Sequence, residues 1–332
     1  MSKGKLAAII AGAIVIIAVI ILVVPRLTAS PGQIRDWHDL HAISEDLAGA
    51  YRLMNDLDVT TAGYAELAGP DANGGEGWQP VGTYEHQFAG TFDGRGYEIK
   101  DLFVDRPTED GVGLFGSVDD GASIRNVGLV DANVIGRDGV GSLVGDNWGG
   151  MVTNSYSTGT VTGNAYVGGL VGWNVATVFA CYSASDVTDN GSAGGATDGS
   201  TGGLVGANAG TIIESYSSGS VTGVYAVGGL LGDNVEGTVI FCYSSSTVSG
   251  DERVGGLVGY SDGSVSHCYW DTSGIDVSDG GSGKTPEEMM DIATFTAAGW
   301  DICAVATGGT DPACTWNIVD GETYPFLSWQ ST

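Results

Sequence analysis

Val167-Gly168-Gly169-Leu170-Val171-Gly172 is the stretch whose reading decides the fold. It returns with small changes, and its leucine recurs as Leu114, Leu143, Leu170, Leu204, Leu230 and Leu257, at separations of 29, 27, 34, 26 and 27 residues. Near-constant spacing with the same glycine punctuation marks a stacked repeat array. Aligned on the leucine, other columns fall into line. Asn147, Asn174, Asn208 and Asn234 stand two residues after the closing glycine. An aliphatic column follows (Ile124, Val152, Val178, Ile212, Val239, Val265). Three positions later comes a small or apolar residue (Val127, Ser155, Cys181, Ser215, Cys242, Cys268), and then Tyr156, Tyr182, Tyr216, Tyr243 and Tyr269.

The residues between are Gly, Ser, Thr and Val, which suit short strands and sharp corners rather than helices. So short a unit cannot bury an apolar face alone, but it can when stacked on its neighbours. Successive units then pair as parallel strands about 4.8 Å apart, and parallel crossovers are overwhelmingly right-handed. The pattern predicts an all-β chain, a right-handed parallel β-helix (solenoid) capped at both ends. Its columns become ladders. The Asn column is expected at a turn, in the left-handed conformation that Asn tolerates, with stacked amides bonding along the rod. Neighbouring residues on a strand face opposite ways, so the Cys/Ser column points inward and the tyrosines outward. The tyrosines then form an exposed ladder or pack over corners.

Of 332 residues, 56 are glycine, well above the usual roughly 7%. They follow the period, so this is not a low-complexity chain. Net charge is −28 with only 12 basic residues. No basic patch forms, which argues against a nucleic-acid partner. Such acidity keeps a rod soluble, and is compatible with a saline habitat or with weak surface Ca²⁺ binding. The five cysteines contain no CxxC. Cys181, Cys242 and Cys268 read as reduced core thiols. Cys303 and Cys314 lie outside the array and are a candidate disulfide if that region is extracellular.

Residues 1–29 read as a cytoplasmic start, with Lys3 and Lys5, and a transmembrane anchor. The apolar run 6–24 is long enough to cross a hydrocarbon core of about 30 Å, and the basic start favours an inside amino terminus. A cleaved signal peptide is the rival reading. An uncleaved anchor makes this a single-pass cell-membrane protein whose partner through 6–24 is the lipid bilayer and whose bulk is extracellular. Residues 30–110 read as an N-terminal cap and first coils: a helix over 34–47 (Trp37, Leu40, Ile43, Leu47), a strand at 51–54, a loop over 60–80, then a coil from 88. Repeats run over 111–273, and the 34-residue spacing holds an insertion at 189–200. Residues 274–332 read as a linker and C-terminal cap, with Thr285-Pro286-Glu287-Glu288 as a helix start.

The Gly-Gly-Leu-Val-Gly units, followed by x-Asn and by Cys-Tyr-Ser or Ser-Tyr-Ser, resemble the GLUG-motif repeats of bacterial and archaeal surface proteins. The lead-in Phe92-Asp93-Gly94-Arg95-Gly96-Tyr97, the exit Cys268-Tyr269-Trp270-Asp271 and the ending Tyr324-Pro325-Phe326-Leu327 are similar to that group's. The resemblance covers about residues 34–329. It implies an extracellular β-solenoid, secreted or surface-attached, with adhesion or binding as its role. Some members are joined to an immunoglobulin-A-cleaving metallopeptidase. That part does not carry over, because this chain has no zinc-protease helix motif.

The chemistry-bearing residues give little. His38, His41, His86 and His267 are the only histidines and form no His-Glu-x-x-His. Asp279-Gly280-Gly281-Ser282-Gly283-Lys284-Thr285 imitates the end of a P-loop, but Ser278 stands where the first glycine belongs, so linker plus helix cap is the reading. No catalytic residue, cofactor or metal site is expected. Asp146 and Asp233 share a column with Trp173, Ala207 and Tyr260, which reads as a solvated corner. The expected function is an adhesin or surface-binding module for a surface glycan or protein. Its candidate surface is Tyr156, Tyr182, Tyr216, Tyr243 and Tyr269, with Trp173 and Tyr260 able to stack on sugars. The alternatives are a structural envelope spacer and a polysaccharide lyase or hydrolase, which needs converging carboxylates.

Overall fold

The computed structural model describes residues 32–191 and 199–330. The chain divides after Pro31, and the second unit, Gly32–Thr332, is compact. The expected anchor at 6–24 lies outside the described residues, as do 192–198 of the insertion. Among the described residues no helix is long and apolar enough to cross a membrane.

The second unit is a parallel β-helix. Its coils wind through three stacked sheets, and a separate three-stranded sheet lies in the C-terminal region. The first sheet stacks nine: Gly32–Ile34, Ala50–Leu53, Thr91–Asp93, Ser123–Arg125, Met151–Thr153, Thr177–Phe179, Thr211–Ile213, Thr238–Ile240 and Ser264–Ser266. The second stacks six, from Phe115–Val118 to Val258–Ser261, and carries the Leu-Val-Gly segments. The third holds the longest strands, among them Gly128–Ile135, Tyr156–Gly163 and Tyr182–Asp189. Register follows the repeat: Val152 pairs with Val178, Val178 with Ile212, and Ile212 with Val239.

Parallel stacking sets each column of the sequence on itself. All six repeat leucines are fully buried, each contributing roughly 2–3 kcal/mol of apolar burial. Successive ones are joined by main-chain bonds: Leu170 N–H donates to Leu204, Leu204 to Leu230, and Leu230 to Leu257. Gly169 is needed beside them, since a Cβ there would lie 2.1 Å from Ser183 Oγ and 2.2 Å from the Gly203 carbonyl. The Tyr-Ser half of the motif is tied to the same corner. Ser157 Oγ donates to the Gly169 carbonyl at 2.9 Å, and Ser217 Oγ to that of Gly229 at 2.7 Å.

The Asn column is a ladder, and it is wholly buried. Asn147 Nδ2 donates to Asn174 Oδ1 at 2.8 Å, Asn174 to Asn208 at 2.7 Å, Asn208 to Asn234 at 2.9 Å, and Asn234 to Ser261 Oγ at 3.1 Å. Its conformation corrects the expectation. A left-handed column is found instead at Asn126, Asn154, Ala180, Glu214, Phe241 and His267, with φ between 48° and 55°. They precede the Cys/Ser column, at the corner between the first and third sheets. The column that follows clamps this corner. Ser155 and Ser215 Oγ, and Cys181, Cys242 and Cys268 Sγ, each donate to the carbonyl two residues back, across the left-handed residue. Five of the six positions thus carry a small side chain bearing a donor, and Val127 fills the sixth.

The caps are more broken than the sequence suggests. The N-terminal helix covers only Trp37–His41 before tightening to a 3₁₀ turn at Ala42–Glu45. Asp46, with φ −142°, follows that turn, so Leu47 lies beyond it. The expected loop over 60–80 contains a helix, Tyr64–Leu67, and a short turn, Ala72–Gly75. Thr285 caps Pro286–Met289 with a reciprocal Glu288 capping box. The preceding Ser282–Lys284 is a strand on Tyr269–Asp271, so no phosphate loop forms there.

Candidate binding site

The tyrosine column points away from the coil interior, as expected. Tyr156, Tyr182, Tyr216 and Tyr243 stack ring on ring, with centroids 4.8–4.9 Å apart and planes within 8°. It is not an exposed face. The C-terminal cap lies over it and forms a second core with Met289, Phe295, Trp300 and Trp316. Tyr216, Tyr243 and Tyr269 are buried there. Tyr269 leaves the stack and lies against Trp300 and Phe295. Tyr243 Oη donates to the Pro325 carbonyl at 2.6 Å, and Trp329 Nε1 to that of Ala180 at 3.2 Å. Cys303 and Cys314 of this cap are disulfide-bonded, while Cys181, Cys242 and Cys268 are free and buried. Only the end of the ladder stays open. Tyr156 and Tyr182, with Trp329, Glu98, Asn126 and Asn154, line a cavity of about 420 Å³. The Tyr156 hydroxyl donates to the Glu98 carboxylate.

The second cavity, of about 430 Å³, lies over the Asp146 column. Register confirms that column: Ser117, Asp146, Trp173, Ala207, Asp233 and Tyr260 pair in succession. Its environment is not the solvated corner expected. Asp146 is largely buried, because the loop at 79–84 of the N-terminal region also walls this cavity. Burial first, then the neighbouring charges of Asp110 and Asp138, push its carboxyl up to about 7. Two glycines with positive φ make room for it. A Cβ on Gly139 (φ 64°) would lie 2.4 Å from Asp146 Oδ1, and one on Gly111 (φ 64°) 3.2 Å from Oδ2.

Aromatic rings complete the cavity. Trp173 meets Tyr166 edge to face with centroids 5.0 Å apart, and Tyr84 meets Trp148 in the same way at 6.0 Å. Tyr84 is 75% exposed and Trp148 40%. The Trp173 indole N–H is buried and finds no hydrogen-bond partner among the described residues. Tyr260 is elsewhere, under the guanidinium of Arg253 at 3.9 Å. Sequence reasoning found Trp173 and the Asp146 column but missed Tyr84, Glu109, Asp110, Asp138, Trp148 and Tyr166. One signal was available: Asp110-Gly111-Val112-Gly113 recurs as Asp138-Gly139-Val140-Gly141 in the next coil. No group of three or more His, Cys, Asp or Glu able to hold a metal ion occurs among the described residues.

Comparison with known proteins agrees with this architecture. The model of the GLUG motif matches residues 136–162. Halomucin of Haloquadratum walsbyi is 37% identical over 149 residues, 43% of this chain and 2% of that protein. A protein of Evansella cellulosilytica described as a candidate Gly-rich membrane protein is 34% identical over 103 residues, 30% of this chain and 11% of the other. The chain thus spans only a small part of either relative. A crystal structure from Bacteroides ovatus, described as a candidate immunoglobulin A1 protease, superposes with a TM-score of 0.62 at 22% identity, covering 91% of this chain and 94% of the other. At that identity the likeness concerns the fold alone. Residues 136–162 match the GLUG motif, and the coils stacked in register on either side repeat its columns along the parallel β-helix.

Proposed function

We propose that this chain is a surface-binding module, displayed outside the cell from a membrane anchor at 6–24, and that it binds a glycan. The observation that carries the reading is the cavity walled by Tyr84, Trp148 and Trp173. Exposed aromatic rings beside hydrogen-bonding carboxylates suit a pyranose, whose C–H face packs on a ring while its hydroxyls are bonded at the edge. The names of the two relatives, a halomucin and a Gly-rich membrane protein, are in keeping with a surface role. A glycan array probed with the full chain tests it. Binding that weakens about tenfold or more in Trp148→Ala supports the reading, and an array with no hits removes it in favour of an envelope spacer.

The Asp146 carboxyl, raised to about 7 beside Asp110 and Asp138, favours one second reading, a polysaccharide hydrolase with Asp146 as general acid. Asp146→Asn separates the two. A hydrolase loses turnover of a bound polysaccharide, whereas a binding module shows no turnover before or after the change.

A further inference from the structure

The charge of the aromatic cavity is one-sided. Glu109, Asp110, Asp138 and Asp146 line it, and among the described residues no Lys, Arg or His does. The cations nearby are already engaged. Arg137 Nε donates to Asp110 Oδ1 at 2.6 Å, and its Nη2 to the other oxygen. Arg106, itself buried, holds Glu109 at 2.8 Å, Glu76 at 3.2 Å and the Trp78 carbonyl at 3.0 Å. Asp138 has only the flank of Arg137, at 3.7 Å. Asp110 and Glu109 are thus neutralised, but Asp146 has no ion pair among the described residues and Asp138 only that distant one; a neutral sugar calls for neither, and withdrawing them from water is costly without a counter-charge.

A second carboxylate of the same column has a cation in its neighbourhood. Asp233 stands in the Asp146 column. Arg253 stands in the column that contains Gly139, reached through the pairings of Val140, Val167, Thr201, Val227 and Val254. Burial, then the charge of Asp262, raise the Asp233 carboxyl, and the Arg253 guanidinium, which lies over the Tyr260 ring, offsets them only in part. At Asp146 that column offers two glycines, Gly111 and Gly139, and the rings of Tyr166 and Trp173 flank the carboxylate. Carboxylates plus aromatic faces are the surroundings that bind an organic ammonium. A net charge of −28 also disfavours polyanionic glycans.

Resting on the glycan-binding reading, we infer that the ligand of this cavity is an amino sugar, its free ammonium among Asp110, Asp138 and Asp146 and its ring against Trp148 and Trp173. The test is isothermal titration of the full chain with two chito-oligosaccharides of equal length, one fully deacetylated and one fully N-acetylated, and with oligolysine of matching charge. The deacetylated sugar is expected to bind at least about tenfold tighter than either other ligand. Asp138→Asn and Trp148→Ala, both at solvent-reached positions, should each erase most of that margin with an unchanged urea midpoint. Equal binding of the two sugars overturns the ammonium assignment and leaves the glycan reading standing. Oligolysine binding as tightly as the deacetylated sugar, or full affinity in Trp148→Ala, overturns the aromatic half of the assignment. Binding of none of the three, with an empty glycan array, overturns both.

Discussion

Asn174 donates through Nδ2 to Oδ1 of Asn208 at 2.7 Å while its own Oδ1 accepts from Asn147 at 2.8 Å. Each amide thus spends one donor on the next coil and one on its own turn, as Asn174 does with the Ala176 carbonyl. Removing an inner rung leaves buried partners unsatisfied both above and below. Asn174→Ala should therefore cost about 2–4 kcal/mol. Asn234→Ala, whose outward partner is the terminal Ser261 hydroxyl, should cost measurably less. Urea midpoints of the two variants check this, and equal losses would mean that the ladder does not act through its neighbours.

The clamp across the left-handed corner makes a similar distinction by chemistry rather than position. Cys181 Sγ donates to the Phe179 carbonyl at 3.3 Å, and the Cys181 N–H donates to Ser215 Oγ at 3.1 Å. Cys181→Ser keeps a small donor and should change stability by less than about 1 kcal/mol. Cys181→Val is closer in hydrophobicity but removes the donor and adds a branch, and should cost about 1–2 kcal/mol. Thermal unfolding of both variants decides it, and a more stable valine variant would show that the column is selected for apolarity alone.

These columns were legible because a parallel stack lays residue i on its counterpart one coil later, so packing requirements repeat in the chain as a spacing. Leu170, Asn174 and Cys181 could be placed from that spacing alone. What the period does not carry was misread. The left-handed corner accepts Asn, Ala, Glu, Phe and His in turn, because stacking and the clamp hold the backbone whatever the side chain, so no residue type marks it. The repeats leave the tyrosine face either free or packed over, because Trp300, Trp316 and Trp329, which cover it, lie beyond them. Asp146 looked solvated because the loop carrying Tyr84 belongs to the N-terminal region and folds back beside it.

Covering the ladder gives its rungs unequal weight. Tyr243 is buried against Trp316 at 5.7 Å and bonded to Pro325, whereas Tyr156 borders the open cavity. Tyr243→Phe should cost about 1–2 kcal/mol, for the Pro325 carbonyl left without its donor. Tyr243→Ala should cost about 3–5 kcal/mol and loosen the cap. Tyr156→Ala should cost less than Tyr243→Ala. Limited proteolysis after residue 284 reads the loosening directly. Equal protection in Tyr243→Ala and in the parent would mean that the cap holds without the ladder.

Stability should rise as the solution is made mildly acidic, and Glu214 is the clearest cause. Burial, then the charge of Asp301, push its carboxyl up to about 7 against a bond from Thr315. Asp146 is likewise raised to about 7, and Asp233 to about 6, by burial first. A carboxyl raised on folding holds a proton in the folded state that the unfolded chain has released, so stability falls as pH rises from about 5 to about 8. For Glu214 the loss is on the order of 3 kcal/mol. Opposite groups set the lower edge. Glu98 is held low by bonds from Lys100 and Tyr156. Burial raises Asp93 and Asp271, but bonds from Asn126, Arg95 and Arg125, and from Ser273 and Tyr324, outweigh it and hold both low. Their contribution is present above the ordinary carboxylate range near 4 and disappears as pH falls through their lowered values. The urea midpoint should therefore peak near pH 5 and decline toward pH 8. Glu214→Gln, which cannot ionise, should flatten that decline while leaving the acid edge in place. A midpoint that climbs from pH 5 to pH 8, or a decline unchanged in Glu214→Gln, would place the controlling groups elsewhere.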